Sequence, residues 1–175
     1  MNIIDVIKDP KQQKIYKKYA SSIPFDVISF AQDLGIEVLE SDQLEKTTRG
    51  YIKEFSNNKM VICVNKNNYF NRKRFTIAHE LGHYFLHRPA LSQIRIDAED
   101  YEPMYHDETL DRQEKDANNF GASILMPQEP FTKLWNQKDY PVEAMAKYFL
   151  VSELAIYTRA KFLGLMSDNP LNCPW

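Results

Sequence analysis

Apolar residues recur at helical spacing in a segment near the middle of the chain. Between residues 74 and 87 the apolar positions are Phe75, Ala78, Leu81 and Phe85, and the stripe is widened by Ile77, Tyr84 and Leu86. A helix that is apolar over most of its surface belongs in a protein interior. The pattern therefore predicts an interior helix, with Asn71 as a plausible N-cap and Pro89 as a plausible stop.

The rest of the chain reads as short helices and short strands. Helices are expected at residues 3–20, 24–34, about 110–125, 129–137, 141–149 and 152–163. Strands are expected at 36–39, 50–55 and 60–64, and the last two should form a hairpin. Residues 89–112 show no clear pattern and could form a loop over a site. The order predicts an α+β fold, in which a mainly helical body lies beside a small antiparallel or mixed sheet of about three strands.

Within the predicted interior helix, His79-Glu80-Leu81-Gly82-His83 form the pattern H-E-x-x-H. Positions i and i+4 share one helix face, so both imidazoles can reach one metal ion. Glu80 then lies beside the open coordination position, where a water would be activated, as in zinc-dependent hydrolases. The alternative is a surface helix that carries two histidines by coincidence. Gly82 costs roughly 1 kcal/mol relative to Ala inside a helix, which suggests that another backbone approaches closely there.

A catalytic zinc site normally uses three protein ligands. The candidates for the third are His87, His106 and the carboxylates from Asp97 to Asp116. His87 stands four residues beyond His83, and three side chains at successive i+4 positions along one straight helix cannot all point at one ion. We therefore expect His87 to pack against the helix end or to cap it.

Glu114 is the preferred third ligand because it begins a small-residue face of the second helix. That face consists of Glu114, Ala117, Asn118, Gly121, Ala122 and Leu125. Small residues allow close packing of two helices, and Gly82 would supply the matching gap. Asn118 could accept a hydrogen bond from a ligand imidazole and fix its tautomer. The alternative is an ordinary amphipathic helix with an exposed Glu114; Asp116 is expected to be solvated.

These motifs closely resemble the ImmA/IrrE family of metallopeptidases. The family shows R-F-T-x-A-H-E-x-x-H, then E-x-E-A-N-x-F-A, then L-M-P, and this chain matches from Arg74, from Glu114 and from Leu125. Asp116 and Gly121 are mild departures, and the resemblance covers roughly residues 24–165. It implies a zincin-like fold, with His79, His83 and Glu114 as metal ligands and Glu80 as catalytic base. It also implies a cytoplasmic bacterial or phage-type protein that commonly cleaves a helix-turn-helix repressor encoded nearby.

Length and composition fit one domain of this kind. The chain has 175 residues, 43% of them apolar, enough for a sizeable core. We expect residues 1–175 to form one metallopeptidase domain. Its expected parts are an N-terminal helix over 1–23, a catalytic core over 24–127, a C-terminal helical subdomain over 128–165 and a tail over 166–175.

Charge and cysteine usage narrow the environment. The net charge of −2 argues against a strongly basic nucleic-acid surface. No apolar segment of about 18 residues is present, so no membrane span is expected, and no signal peptide is apparent. Cys63 and Cys173 are the only cysteines, which favours a reducing cytoplasm over a disulfide framework.

Three functions compete at this stage. The favoured one is a zinc-dependent endopeptidase with a narrow protein substrate, a DNA-binding repressor or similar regulator; Mn²⁺ or Fe would also fit the ligands. The alternative is a non-catalytic metal-binding protein that regulates by binding a partner. Direct DNA binding through residues 141–163 is disfavoured, because the second helix begins with Glu153 and its basic residues, Arg159 and Lys161, come late. Tyr101, Tyr105 and His106 are candidate oxyanion donors.

Overall fold

The computed structural model describes residues 1–55, 58–88, 97–98, 108–138 and 140–166. The helices are α1 Ile3–Val6, α2 Pro10–Tyr19, α3 Val27–Asp33, α4 Phe70–Leu86, α5 Glu108–Leu125, α6 Gln128–Trp135, α7 Val142–Phe149 and α8 Glu153–Phe162. The strands are β1 Ile36–Ser41, β2 Thr48–Glu54, β3 Met60–Asn65 and the two-residue β4 Asp97–Ala98. The predicted α+β class, with a helical body and a small sheet, is confirmed.

The sheet has the order β1-β3-β2-β4. Strand β3 lies at its centre and is buried at every position, as expected for the uninterrupted apolar run Met60–Val64. It pairs antiparallel with β2, which confirms the predicted hairpin, and parallel with β1. Strand β4 pairs with β2 at Thr48 and Gly50. The sheet is therefore mixed, with three principal strands and one short addition.

Helix α4 packs against this sheet at Gly50. A Cβ atom added there would lie 2.6 Å from the carbonyl oxygen of Cys63 and 2.7 Å from Cγ2 of Thr76. No side chain fits at that separation, so glycine lets the strand and the helix touch directly. On another side α4 packs against α5, and the two helices and the sheet enclose a core that includes Ile52, Ile77 and Phe120.

Two details near helix starts differ from the sequence-based prediction. The segment 3–20 forms two helices, because Pro10 begins α2 and the side chain of Asp9 caps it by accepting from the Lys11 amide; proline is favoured at a first helical position. The N-cap prediction for Asn71 is wrong, since α4 begins at Phe70. The Asn71 amide instead donates to the carbonyl oxygen of Val151 at 3.2 Å. Pro89 lies outside the described residues.

The C-terminal helices follow the predicted order. Ser152 caps α8 by accepting from the Ala155 amide at 3.1 Å. Gly35 and Gly164 each follow a helix with φ of +78° and +68°, the left-handed conformation that glycine adopts without a Cβ penalty. None of the helices in the described ranges is long and apolar enough to cross a lipid bilayer. The proposed boundaries of the catalytic core and the C-terminal subdomain stay a prediction.

Candidate metal centre

Two glycines set the separation of α4 and α5. A Cβ atom on Gly82 would lie 2.8 Å from Cα and 2.9 Å from the carbonyl oxygen of Ala117. A Cβ atom on Gly121 would lie 3.1 Å from the backbone nitrogen of His79. The expectation that another backbone approaches Gly82 is therefore confirmed. The contact fixes α5 against α4 at the level of the two histidines.

This packing brings three potential metal-binding side chains together. Nε2 of His79 and Nε2 of His83 are 3.0 Å apart. The Glu114 carboxylate places Oε2 at 3.2 Å from His79 Nε2 and Oε1 at 3.3 Å from His83 Nε2. Within the part of the chain that the structure describes, this is the group of His, Cys, Asp and Glu side chains able to hold one metal ion.

The spacing of these atoms suits a small divalent cation. Zinc binds imidazole nitrogen and carboxylate oxygen at about 2.0–2.1 Å, so neighbouring ligands of a tetrahedral ion lie about 3.3–3.4 Å apart. The separations between the His79, His83 and Glu114 atoms, 3.0 to 3.3 Å, are close to that value. Two imidazoles and one carboxylate are also a ligand set that zinc enzymes use, leaving a coordination position for water. The residues present therefore fit a catalytic metal.

The two imidazoles of the group are buried, whereas its carboxylate is partly exposed to solvent. The side chains of His79 and His83 are 3% and 2% exposed, whereas that of Glu114 is 44% exposed. Partial burial acts to raise the pKa of Glu114, but hydrogen bonds from His79 and His83 outweigh it and hold that pKa well below its usual range. Glu114 is thus ionised at neutral pH. It forms the solvent-facing side of the group, and the imidazoles form the inner side.

The second nitrogen of each imidazole is also engaged. His79 Nδ1 lies 2.9 Å from Oδ1 of Asn118, one turn beyond Glu114 on α5. His83 Nδ1 lies 3.2 Å from Nδ1 of His87. If both Nε2 atoms bind metal, both Nδ1 atoms carry a proton and donate it to these neighbours. The structure thus places Asn118 where the sequence suggested, and its effect on metal binding stays a prediction.

Glu80 lies inside the protein beside this group. It follows His79 directly on α4 and its side chain is 1% exposed. Thr76, one turn earlier on the same helix face, is the residue that meets Gly50 of β2. Glu80 is therefore on the sheet-facing side of α4, a different face from Gly82, which meets α5. Its role as a base stays a prediction.

The other candidate residues in the described ranges do not belong to the metal-binding group. His87 does not belong to the metal-binding group, and its backbone amide donates to the His83 carbonyl at 2.8 Å as the C-cap of α4; the expected capping role is confirmed. Asp116 is half-buried and also outside the group. Tyr101, Tyr105 and His106 lie outside the described residues. Sequence analysis missed the side-chain contact of His87 with His83, although their i, i+4 spacing was a signal for it.

The sequence of this chain also matches a known protein family. A model of the IrrE N-terminal-like domain, Peptidase_M78, matches residues 31–161. The chain belongs to the Peptidase_M78 family. The matched range contains both His79–His83 and Glu114, and it confirms the resemblance inferred from their motifs.

This Peptidase_M78 protein is similar to one phage protein and to one solved bacterial structure. It is 30% identical over 118 residues to "Uncharacterized immunity region protein 2" of Bacillus phage phi105, a match that covers 66% of this chain and 65% of the relative. A solved "Mycobacterium tuberculosis transcriptional regulator" has the same fold, with a TM-score of 0.61 and 15% identity over 92% of this chain and 52% of that one. The chain thus spans less than two thirds of the length of either relative.

In this family member, one of the two basic residues late in helix α8 is buried and makes hydrogen bonds within the protein. Arg159 is buried and donates to the Met126 carbonyl oxygen and to Ser123 Oγ, both at 3.2 Å. Burial lowers the pKa of Arg159 to about 10. Its guanidinium ties α8 to the C-terminal end of α5, so it is not presented to a nucleic-acid phosphate.

Proposed function

We propose that this protein is a zinc-dependent endopeptidase that cleaves a narrow protein substrate, a helix-turn-helix transcriptional repressor or a similar regulator. The observation that carries the proposal is the convergence of His79, His83 and Glu114 from two separate helices within 3.3 Å of one another. Family membership and the adjacent, buried Glu80 support a hydrolytic use of that site. Mn²⁺ is a second candidate for the same ligands.

In the proposed mechanism, His79, His83 and Glu114 would hold the ion. Bound there, zinc would act as a Lewis acid that polarises the scissile carbonyl and makes a water molecule more acidic. A carboxylate oxygen of Glu80 accepts a proton from the attacking water and then donates it to the nitrogen of the leaving amine. The buried position of Glu80 keeps bulk water away from that proton.

The nature of the substrate is inferred from the relatives. One is named for a phage immunity region and the other as a transcriptional regulator. A protease of narrow specificity fits such settings, because cleavage of one repressor switches gene expression irreversibly. A repressor with a helix-turn-helix domain is therefore our proposed substrate class.

The outer edge of strand β2 offers a place for an extended peptide. In the described residues, β4 pairs with β2 only at Thr48 and Gly50, which leaves the outer edge of β2 from Tyr51 to Glu54 without a β4 partner. Peptides commonly add to such an edge by main-chain hydrogen bonds. Hydrogen exchange on a complex with the Glu80→Gln protein tests this hypothesis: protection of residues 51–54 supports it, and unchanged exchange contradicts it.

A non-catalytic function is the second candidate. One relative is named for a phage immunity region and the other as a transcriptional regulator, and neither name describes hydrolysis. In that case the metal group would stabilise the fold, and the protein would regulate by binding its partner. Glu80 distinguishes the two, because a structural metal site does not require an additional buried carboxylate.

The deciding experiment is incubation of the zinc-loaded protein with the regulator encoded by the adjacent gene. We expect cleavage at one bond by the native protein, and loss of at least about 100-fold in rate for Glu80→Gln with zinc still bound. Glu143→Gln, at an exposed position on α7, is the matched control and should cleave normally. Binding of the regulator without cleavage by the native protein would favour the non-catalytic function.

A further inference from the structure

The His83 ring has a hydrogen-bond partner other than Asn118. Asn118 comes from α5, and its Oδ1 lies 2.9 Å from Nδ1 of the other imidazole, that of His79. His83 is 2% exposed, and a buried ring nitrogen requires a hydrogen-bond partner to offset the loss of water. The nitrogen turned away from Glu114, Nδ1, lies 3.2 Å from Nδ1 of His87.

We infer that His87 is a positioning residue for His83, which holds the His83 ring with Nε2 directed at the metal position. The inference rests on the proposed metal site and assigns a function to a side chain that capping does not need. Capping of α4 uses the backbone amide of His87, which donates to the His83 carbonyl, and any residue other than proline supplies that group.

The backbone at the end of α4 makes the contact possible. His87 has left the helical conformation, with φ of −130° and ψ of 19°. Its ring centroid lies 5.3 Å from that of His83 at an interplanar angle of 53°. His87 therefore sits on the side of the His83 ring opposite to Glu114, where it orients the ligand without joining the metal-binding group.

The contact also fixes which nitrogen of His87 carries hydrogen. When His83 Nε2 binds metal, its Nδ1–H must donate, so His87 Nδ1 must offer a lone pair. Neutral His87 then carries its hydrogen on Nε2. The two ligand imidazoles are thus held differently: His79 by an amide oxygen from α5, and His83 by an imidazole nitrogen from the C-cap residue of α4.

Zinc affinity is the first test, measured by competition with a chromogenic chelator on the full chain. Partners of metal-bound histidines typically contribute about 10–100-fold in affinity, so we expect a loss of that size for His87→Leu. His87→Asn places an amide oxygen near the lost nitrogen and should restore most of the affinity. Arg88→Ala, the next residue, is exposed and pairs with Glu54; it is the matched control and should bind zinc normally.

The second test reads the tautomer directly and does not depend on a variant that folds. Side-chain ¹⁵N NMR of the zinc-loaded native protein should show His83 protonated at Nδ1 and His87 protonated at Nε2. Hydrogen on His87 Nδ1, or a His87→Leu protein that binds zinc as tightly as the native one, would overturn the inference and leave the proposed function standing. Failure of the native protein to bind zinc would overturn both.

Discussion

At the scale of single residues, the site depends on two glycines, which have no Cβ atom. Glycine at positions 82 and 121 removes the two Cβ atoms that would hold α4 and α5 apart. Glycine inside a helix lowers its stability, but at these two positions it allows Glu114 to lie close to the imidazoles. Sequence analysis could infer this, because a mid-helix glycine beside a motif needs a packing reason, and the small-residue face from Glu114 offered one.

Replacement of Gly82 by Ala should weaken both packing and metal binding. The added Cβ meets backbone atoms of Ala117, which cannot rotate away. Overpacking typically costs about 1–3 kcal/mol, and the better helix propensity of Ala recovers about 1 kcal/mol. Because the clash is with backbone atoms, we expect the upper end of the cost and a net loss of about 2 kcal/mol. Urea unfolding and zinc competition measure the two effects. Gly121→Ala, with longer contacts, should lose less; equal stability of native protein and Gly82→Ala would refute the close-packing account.

Replacement of Asn118 tests the partner of His79. Asn118→Leu keeps the side-chain size but removes the oxygen that faces His79 Nδ1, so zinc affinity should fall by about 10–100-fold. Asn118→Asp retains an acceptor and should remain close to the native affinity. If the Leu variant binds zinc as well as the Asp variant, the hydrogen bond to His79 has no part in holding the metal.

At the scale of elements, buried arginine side chains join segments that no local pattern connects. Arg74 on α4 donates to the carbonyl oxygens of Phe25 at 2.9 Å and Leu150 at 3.4 Å. The periodicity of α4 and α5 could be read from the sequence, because apolar spacing reports a buried face. The Asn71 N-cap could not be read correctly, because its amide is used by Val151, 80 positions away.

Arg74→Met should destabilise the protein by about 2–4 kcal/mol, because charged donors to buried acceptors are worth about 1.5–3 kcal/mol and leave unsatisfied carbonyls when removed. Lys73→Met is the matched control: it removes the ion pair with Glu40, which is partly exposed and should be worth under about 1 kcal/mol. Chemical denaturation compares them. Equal effects of the two substitutions would show that Arg74 does not anchor the start of α4.

The ion pair between α2 and α3 should make stability depend on pH. Hydrogen bonds from Lys18 and Tyr19 lower the pKa of Asp33, so its contribution is present above the ordinary carboxyl pKa of about 3.9 and is lost as the pH falls below it. Native protein should therefore be more stable than Asp33→Asn at about pH 7, and the difference should shrink at about pH 3. Thermal unfolding at both values measures it; a constant difference would contradict this assignment.

At the scale of the whole molecule, we expect metal binding and folding to be coupled through the α4–α5 contact. His79 and His83 share one helix, but Glu114 arrives only when α5 packs against it. The fold class and the grouping of His79, His83 and Glu114 were predictable, since two motifs agreed in order and spacing. The sheet order was not, because the parallel pairing of β1 with β3 and the addition of β4 arise from tertiary contacts.

Zinc should therefore raise the melting temperature, and a chelator should lower it again. A ligand at 100 times its dissociation constant stabilises the folded state by about 2.7 kcal/mol. Glu80→Gln should show the same zinc-dependent rise, whereas Glu114→Ala should show little, since it removes a ligand and leaves α4 intact. Differential scanning calorimetry with and without zinc measures these changes. A full rise in Glu114→Ala would exclude Glu114 from the metal site.

The central claim is that side chains from two helices close around one divalent cation. The most direct measurement is anomalous diffraction at the zinc absorption edge, on crystals of the full chain grown with zinc. We expect one strong peak, about 2.0–2.1 Å from Nε2 of His79, Nε2 of His83 and a carboxylate oxygen of Glu114. A peak that excludes Glu114, or no peak between the two imidazoles, would contradict it.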